Sequence, residues 1–394
     1  ATTEFYTLSL HDALPILFGG RNGIATFSVL DSTDPSAVRA VQGKVQLEKT
    51  LFIVSSKSGG TVETRSQLMY FLGQVRSAGL EKPGSRFVAI TDKGSSLEKT
   101  GKQEKFRKVF INPSDIGGRY SALSYFGLVP AWFAGVDVQA LLDDAFTMEK
   151  LVRERADETN PAAALAALMA TAAEVGMDKL TFLASARIAP LVPWIEQLVA
   201  ESTGKKGKGV VPIEAEPLGK MFEYGADRVF VAIRIDGEKS PLPEELRASL
   251  MKKGVPVVEI TLAAPEQIGG QFVLWAAATA AAGWLMGINP FDEPNVTESK
   301  LNTEKILDSY RESGQFADLT PSASYNHLSL ITHGGRRRYK PSEIADLQPL
   351  LKKFLTGLRS PEYVSILCYL KEEPQIEKAR SEEHTSELQS RITI

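Results

Sequence analysis

The chain has 394 residues, 43% of them hydrophobic and 24% charged, with a net charge of −3 and a single cysteine. Those proportions are those of a globular chain with a real core, long enough for about two or three domains. The slight negative charge implies no general attraction to nucleic acid or to an anionic membrane, and a lone Cys368 excludes an internal disulfide and fits a reducing, cytoplasmic compartment.

Residues 1–16 and the tail 381–394, with Ser381-Glu-Glu-His-Thr, read as adapter-derived, non-native ends and are set aside from the fold. Ala25 to Leu30 is predicted as a strand leading into Asp31-Ser-Thr-Asp-Pro, a turn and helix-start signal. Leu51 to Val54 forms an apolar, β-branched strand, and a turn of hydroxyls and glycines follows it. A helix from about Thr61 to Ser77 then carries Leu68, Leu72 and Val75 at helical spacing, with Met69 and Phe71 widening the apolar face. Strands are predicted at Arg86 to Thr91 and at Val109 to Asn112, and Gly117-Gly118 precedes a helix from Tyr120. Alternation of this kind predicts a parallel sheet with helices on both faces.

The pattern restarts near Asn160. A helix over Pro161 to Glu174 leads to a strand at Leu180 to Ala184, a helix around Trp194 to Glu201 and a strand at Val229 to Ile235. Helix and strand follow, then the alanine-rich run Phe272 to Ile288, which is short of the roughly 20 residues that span a bilayer and reads as a core helix. The two halves share no sequence repeat. Asn295-Val-Thr-Glu resembles a capping box opening a helix to about Tyr310. Thr320 to Arg359 is loop-rich and basic, and Tyr363 to Leu370 resembles the opening strand of a further unit.

Four stretches carry chemistry. Ser56, Lys57, Ser58 and Thr61 lie between strand and helix, where backbone N–H groups and hydroxyls favour an anion; the plainer alternative is an N-capped turn. The order of residues is not that of a nucleotide P-loop. Gly118 and Arg119 place exposed backbone beside a guanidinium suited to a phosphate or an oxyanion, or else form a surface turn. Gln197 and Glu201 are four apart and share a helix face; facing a closed site, such a carboxylate serves as a base, and facing water it is an ordinary solvated group. Lys300 falls near a helix start, where the dipole gives it no help, so it is either ligand-facing or solvated. The run Arg336 to Arg338 reads as a solvated basic face or as a phosphate or partner site.

Ser-Lys-Ser-Gly-Gly-Thr, Gly-Gly-Arg-Tyr-Ser, Gln-x-x-x-Glu-Ser-x-Gly-Lys and Asn-Pro-Phe-Asp-x-Pro-x-Val-x-x-x-Lys occur in an order that resembles the glucose-6-phosphate isomerase family over roughly Leu17 to Tyr310. The tail after Thr320 is similar to the isomerase part of bifunctional transaldolase/glucose-6-phosphate isomerases. The resemblance implies an α/β fold of two SIS-type, flavodoxin-like parallel-sheet domains at 17–155, incomplete at its start, and 156–318, the second ending in a helical C-terminal arm. It makes 319–380 an extension typical of the bifunctional proteins, also incomplete. It further implies a homodimer acting on a hexose 6-phosphate, without metal or organic cofactor, nucleic acid or membrane. Ser56, Lys57, Ser58, Thr61 and Gly118 would hold substrate, and Gln197 would orient it. Glu201 would move the proton between C2 and C1, Arg119 would stabilise the cis-enediolate, and Lys300 would assist ring opening or position the sugar. Three features depart from the family pattern: no histidine lies between Glu201 and Lys300, the early Gly-x-Gly-Gly-Ser loop is absent, and Glu293 stands where a glutamine is expected. The alternatives are a sugar-phosphate sensor of the same fold and an isomerase for another phosphorylated sugar.

Overall fold

The computed structural model describes residues 27–155, 158–214, 216, 218, 224–292, 294–315, 323–325, 328–330, 352 and 356. Contacts divide the chain into two compact units, Ala1–Glu293 and Pro294–Ile394.

Among the described residues the first unit opens with helix α1 (Pro35–Lys44), which the Asp-Pro signal starts as expected. Asp34 accepts hydrogen bonds from the Ser36 and Ala37 N–H groups, and Pro35 takes the first helical position. Residues 27–34 ahead of it form no strand, against the expected strand at Ala25 to Leu30. Among the described residues none of these pairs with β1 (Phe52–Ser55), whose outer edge has no neighbouring strand, so their backbone groups enter no ladder.

Strands β1, β2 (Phe87–Asp92) and β3 (Lys108–Asn112) form a parallel sheet in that order. Helix α2 (Val62–Ser77) joins the first two, and α3 (Ser96–Gln103) the second pair. Leu68, Phe71, Leu72 and Val75 of α2 pack with Phe87 and Ala89 on one face of the sheet, where Phe52 stacks on Phe87. Side chains alternate along a strand, so Ile90 points the other way, onto Phe126 and Val129 of α4 (Tyr125–Phe133). This helix starts five residues later than the expected Tyr120. Gly118–Tyr120 is a 3₁₀ turn, and Ser124 caps α4 by accepting from the Phe126 N–H.

Ala131 of α4 belongs to a second core, so this helix serves both sheets. The second sheet is parallel in the order β5-β4-β6-β7, with β4 Lys179–Ala184, β5 Val211–Ile213, β6 Arg228–Ile235 and β7 Val257–Leu262. The chain passes from β4 outward to β5 and then crosses back to β6 on the other side of β4, which is the flavodoxin-like order 2-1-3-4. Around it lie α5 (Val138–Glu154), α6 (Pro161–Glu174), α7 (Val192–Thr203), α8 (Glu244–Lys252) and α9 (Ile268–Leu285). Helix α9 is the expected core helix, with Trp275, Ala278 and Ala282 fully buried. It lies close against α5 because Gly269 has no side chain; a Cβ there would fall 2.0 Å from the Leu141 carbonyl oxygen.

The second unit contains α10 (Pro294–Ser313) and a two-stranded antiparallel ladder, β8 (Ala323–Tyr325) with β9 (Leu328–Leu330). Since α10 begins at Pro294, Asn295 sits inside its first turn rather than capping it. The expected strand at Tyr363 to Leu370, Cys368, the run Arg336 to Arg338 and both adapter-like ends lie outside the described residues.

Candidate active site

Open parallel sheets present their loops at the carboxyl ends of the strands, and the turn after β1 is such a loop. Ser56 Oγ accepts the Gly59 N–H at 3.0 Å and Ser58 Oγ accepts the Gly60 N–H at 3.1 Å, which curls the backbone tightly. Gly59 has φ +67°, and a Cβ on it would lie 2.5 Å from the Leu97 nitrogen, so glycine is required there on both counts. Thr61 occupies the N-cap position of α2 yet makes no capping bond, and its buried Oγ1 has no hydrogen-bond partner among the described residues. A turn with hydroxyls at an uncapped helix start suits an anion. Lys57 behaves differently. Its ammonium binds the Asp92 carboxylate at 2.5 Å and the Ser114 carbonyl at 2.8 Å, tying the ends of β1 and β2 to the loop beyond β3.

That loop carries Gly118 and Arg119. Arg119 is buried, its side chain 1% exposed, and its Nε lies 3.5 Å from Glu201 Oε2. One guanidinium nitrogen donates to Ser202 Oγ at 2.8 Å and to the Pro290 carbonyl at 3.1 Å; the other donates to the Asp292 carbonyl at 3.2 Å. These three acceptors are neutral. They fix the plane of the guanidinium, a preorganised donor of the kind that stabilises a developing oxyanion. Tyr120 hydrogen-bonds Ser202 Oγ at 3.2 Å, and burial pushes its phenol up, so the hydroxyl keeps its proton as a donor.

Glu201 stands in the last turn of α7, one turn beyond Gln197 on the same face. The Gln197 side chain is buried, and neither of its amide atoms has a hydrogen-bond partner among the described residues. A buried amide in that state costs about 1–3 kcal/mol and is usual only where something else supplies its partner. Glu196 adds a feature that the sequence did not reveal. Burial, helped by the charges of Glu214 and Glu201, pushes its carboxyl up to about 7.

The sequence motifs thus separate into two groups within the first unit. Ser56, Ser58 and Thr61 form the turn at the end of β1, while Arg119, Gln197 and Glu201 meet around the end of α7. Gly118 enters through the 3₁₀ turn that delivers Arg119. Lys300 lies on α10, in the second unit, and its side chain is outside the described residues. Sequence reasoning missed Tyr120, Ser202, Lys205, Glu196 and the carbonyls of Pro290 and Asp292. Tyr120, Ser202 and Lys205 lie inside the second and third motifs and Pro290 and Asp292 inside the fourth, but nothing in those motifs gave them a role, and Glu196 lies outside all four.

The family model for phosphoglucose isomerase matches residues 10–215. The probable glucose-6-phosphate isomerase of Methanococcus maripaludis is 30% identical over 333 residues, covering 74% of this chain and 73% of that protein. The glucose-6-phosphate isomerase of Citrifermentans bemidjiense is 29% identical over 327 residues, covering 73% of this chain but only 62% of the relative. Among solved structures, a hypothetical protein from Thermus thermophilus has a TM-score of 0.65 at 27% identity, covering 76% of this chain and 81% of that one. A glucose-6-phosphate isomerase from Chlamydia trachomatis has a TM-score of 0.61 at 20% identity, covering 78% and 69%. The matched region takes in the turn after β1, Arg119 and Glu201, and by that match the chain belongs to the phosphoglucose isomerase family.

Proposed function

We propose that the chain is an aldose-ketose isomerase interconverting glucose 6-phosphate and fructose 6-phosphate, the step shared by glycolysis and gluconeogenesis. The observation that carries the reading is the 3.5 Å approach of Arg119 to Glu201, one helical turn beyond Gln197, whose buried amide has no partner among the described residues. The hydroxyls of Ser56, Ser58 and Thr61, with the backbone N–H groups at the start of α2, grip the phosphate, which takes no part in the reaction and serves as a handle. Lys57 holds that turn against its neighbours. The Glu201 carboxylate takes the proton from C2 of the open-chain aldose, the electron pair moves onto the C1 carbonyl oxygen, and an enediolate forms. Arg119 stabilises that oxyanion; the hydroxyl proton passes from O2 to O1 and Glu201 returns its own proton to C1, which leaves the C2 carbonyl of the ketose. Gln197 binds a sugar hydroxyl, and Lys300 assists ring opening by analogy with its motif. A homodimer in the cytoplasm belongs to the same reading.

A coupled assay from fructose 6-phosphate tests it. Turnover by the parent chain is expected, and Glu201→Gln is expected to lose about 10²–10⁴ of it. Retained turnover in Glu201→Gln excludes this residue as the base. Binding of fructose 6-phosphate without exchange of its C1 or C2 protons into solvent converts the reading to a sensor.

A further inference from the structure

Lys205 ends the Gln-x-x-x-Glu-Ser-x-Gly-Lys motif and has no part in the scheme above. Its side chain is 7% exposed, which is unusual for an ammonium group and requires a full set of partners. It has them: the Asn289 carbonyl at 2.7 Å, the Asp292 carbonyl at 2.6 Å and Asp292 Oδ1 at 2.6 Å. The backbone of Lys205 is itself fixed, since it exchanges two hydrogen bonds with Lys208 across a tight turn just beyond α7.

The segment that Lys205 holds is the one that holds Arg119. Pro290 and Asp292 offer their carbonyls to the guanidinium, and the Asp292 carbonyl accepts from both cations. The contacts therefore close a ring. From Glu201 and Ser202 it passes to Arg119, from Arg119 to the 289–292 segment, and from that segment through Lys205 back to the end of α7. Without Lys205, the segment loses the three hydrogen bonds that tie it to the end of α7, and the guanidinium is held to a support that is less firmly anchored.

We propose that Lys205 is a positioning residue, which sets the Arg119 guanidinium against Glu201 by anchoring the 289–292 segment. The kinetic part of this proposal rests on the isomerase reading; the anchoring part does not. In Lys205→Met, hydrogen exchange is expected to rise about tenfold or more in residues 289–292 and in 118–121, and to stay unchanged in 56–61. Turnover is expected to fall roughly 10- to 100-fold with KM within about twofold of the parent, as displacement of an oriented group produces. In an Arg119→Ala background the same substitution should change turnover less than about twofold, because Lys205 acts through the arginine. Should Lys205→Met fail to fold, Asp292→Asn weakens the same anchor from a half-exposed position and predicts the same pattern of exchange. Unchanged exchange at 118–121, or a Lys205→Met effect that persists undiminished without Arg119, overturns the proposal. Raised exchange at both segments in a protein that shows no isomerisation would retain the anchor and reject the isomerase reading.

Discussion

The turn after β1 and the cluster around Arg119 are built in opposite ways. The turn is local: Gly59 and Gly60 bond to serines within three residues, and its outer supports, Thr91 and Ser96, come from 34 to 37 residues away on the neighbouring strand and helix. The cluster joins Arg119 to partners 83 to 173 residues distant. It forms only when α7, the 3₁₀ turn and the 289–292 segment are all in place. Phosphate binding should therefore tolerate disturbance of the second core, whereas proton transfer should not, and substitutions on each side test that division.

After Glu201→Gln, the largest effect is expected from Arg119→Ala. Loss of one oxyanion-stabilising group predicts a fall of about 10²–10³ in turnover, with KM for fructose 6-phosphate changed only a few-fold because the phosphate is held elsewhere. A large rise in KM at constant turnover would place Arg119 with the phosphate and break the division. Arg119→Lys should rescue little, since an ammonium cannot reproduce a fixed fork reaching Ser202, Pro290 and Asp292 together.

Next comes Glu196→Gln, which probes the charge around the base. The folded carboxyl titrates near 7 against an ordinary 4.5. Between those values the unfolded chain ionises first, so stability falls as pH rises through the window and the loss is complete above pH 7. The shift corresponds to at most about 3 kcal/mol. Glu196→Gln should thus be more stable than the parent at pH 8 and equal to it near pH 4, by denaturant titration at both. Equal stability at both pH values would mean that the side chain is not buried beside like charge.

The same contrast explains what the sequence made legible. The strand-to-helix turn at Ser56 to Thr61, the Asp34 cap and the α6 boundaries at Pro161 and Glu174 all depend on neighbours within a few residues, and each stands where expected. Two alternating α/β halves were legible for the same reason. Helix α4 was misplaced because Gly117-Gly118 is a strong start signal while the true cap, Ser124, is one serine among several. Helix α5 and the short β5 went unseen: the first is half exposed along its length, and the second has only three residues. The buried acceptors of Arg119 could not be foreseen, since a backbone carbonyl leaves no mark on a sequence. The flanking motifs showed only that residues near 202–205 and 289–292 mattered.

On the local side, Gly59→Ala should cost about 2 kcal/mol, from the positive φ and from the 2.5 Å approach to Leu97. It should raise KM with turnover kept, the reverse of Arg119→Ala. Lys57→Met is expected to do least, and it decides what the lysine in the turn is for. Paired with Asp92 and Ser114 at a partly exposed edge, its ammonium is worth about 1 kcal/mol of stability. Melting should shift by a few degrees and KM by less than about threefold. A hundredfold rise in KM would mean that Lys57 leaves Asp92 to meet the phosphate. In that event the cradle would not be preformed, and its charge would arrive only with the ligand.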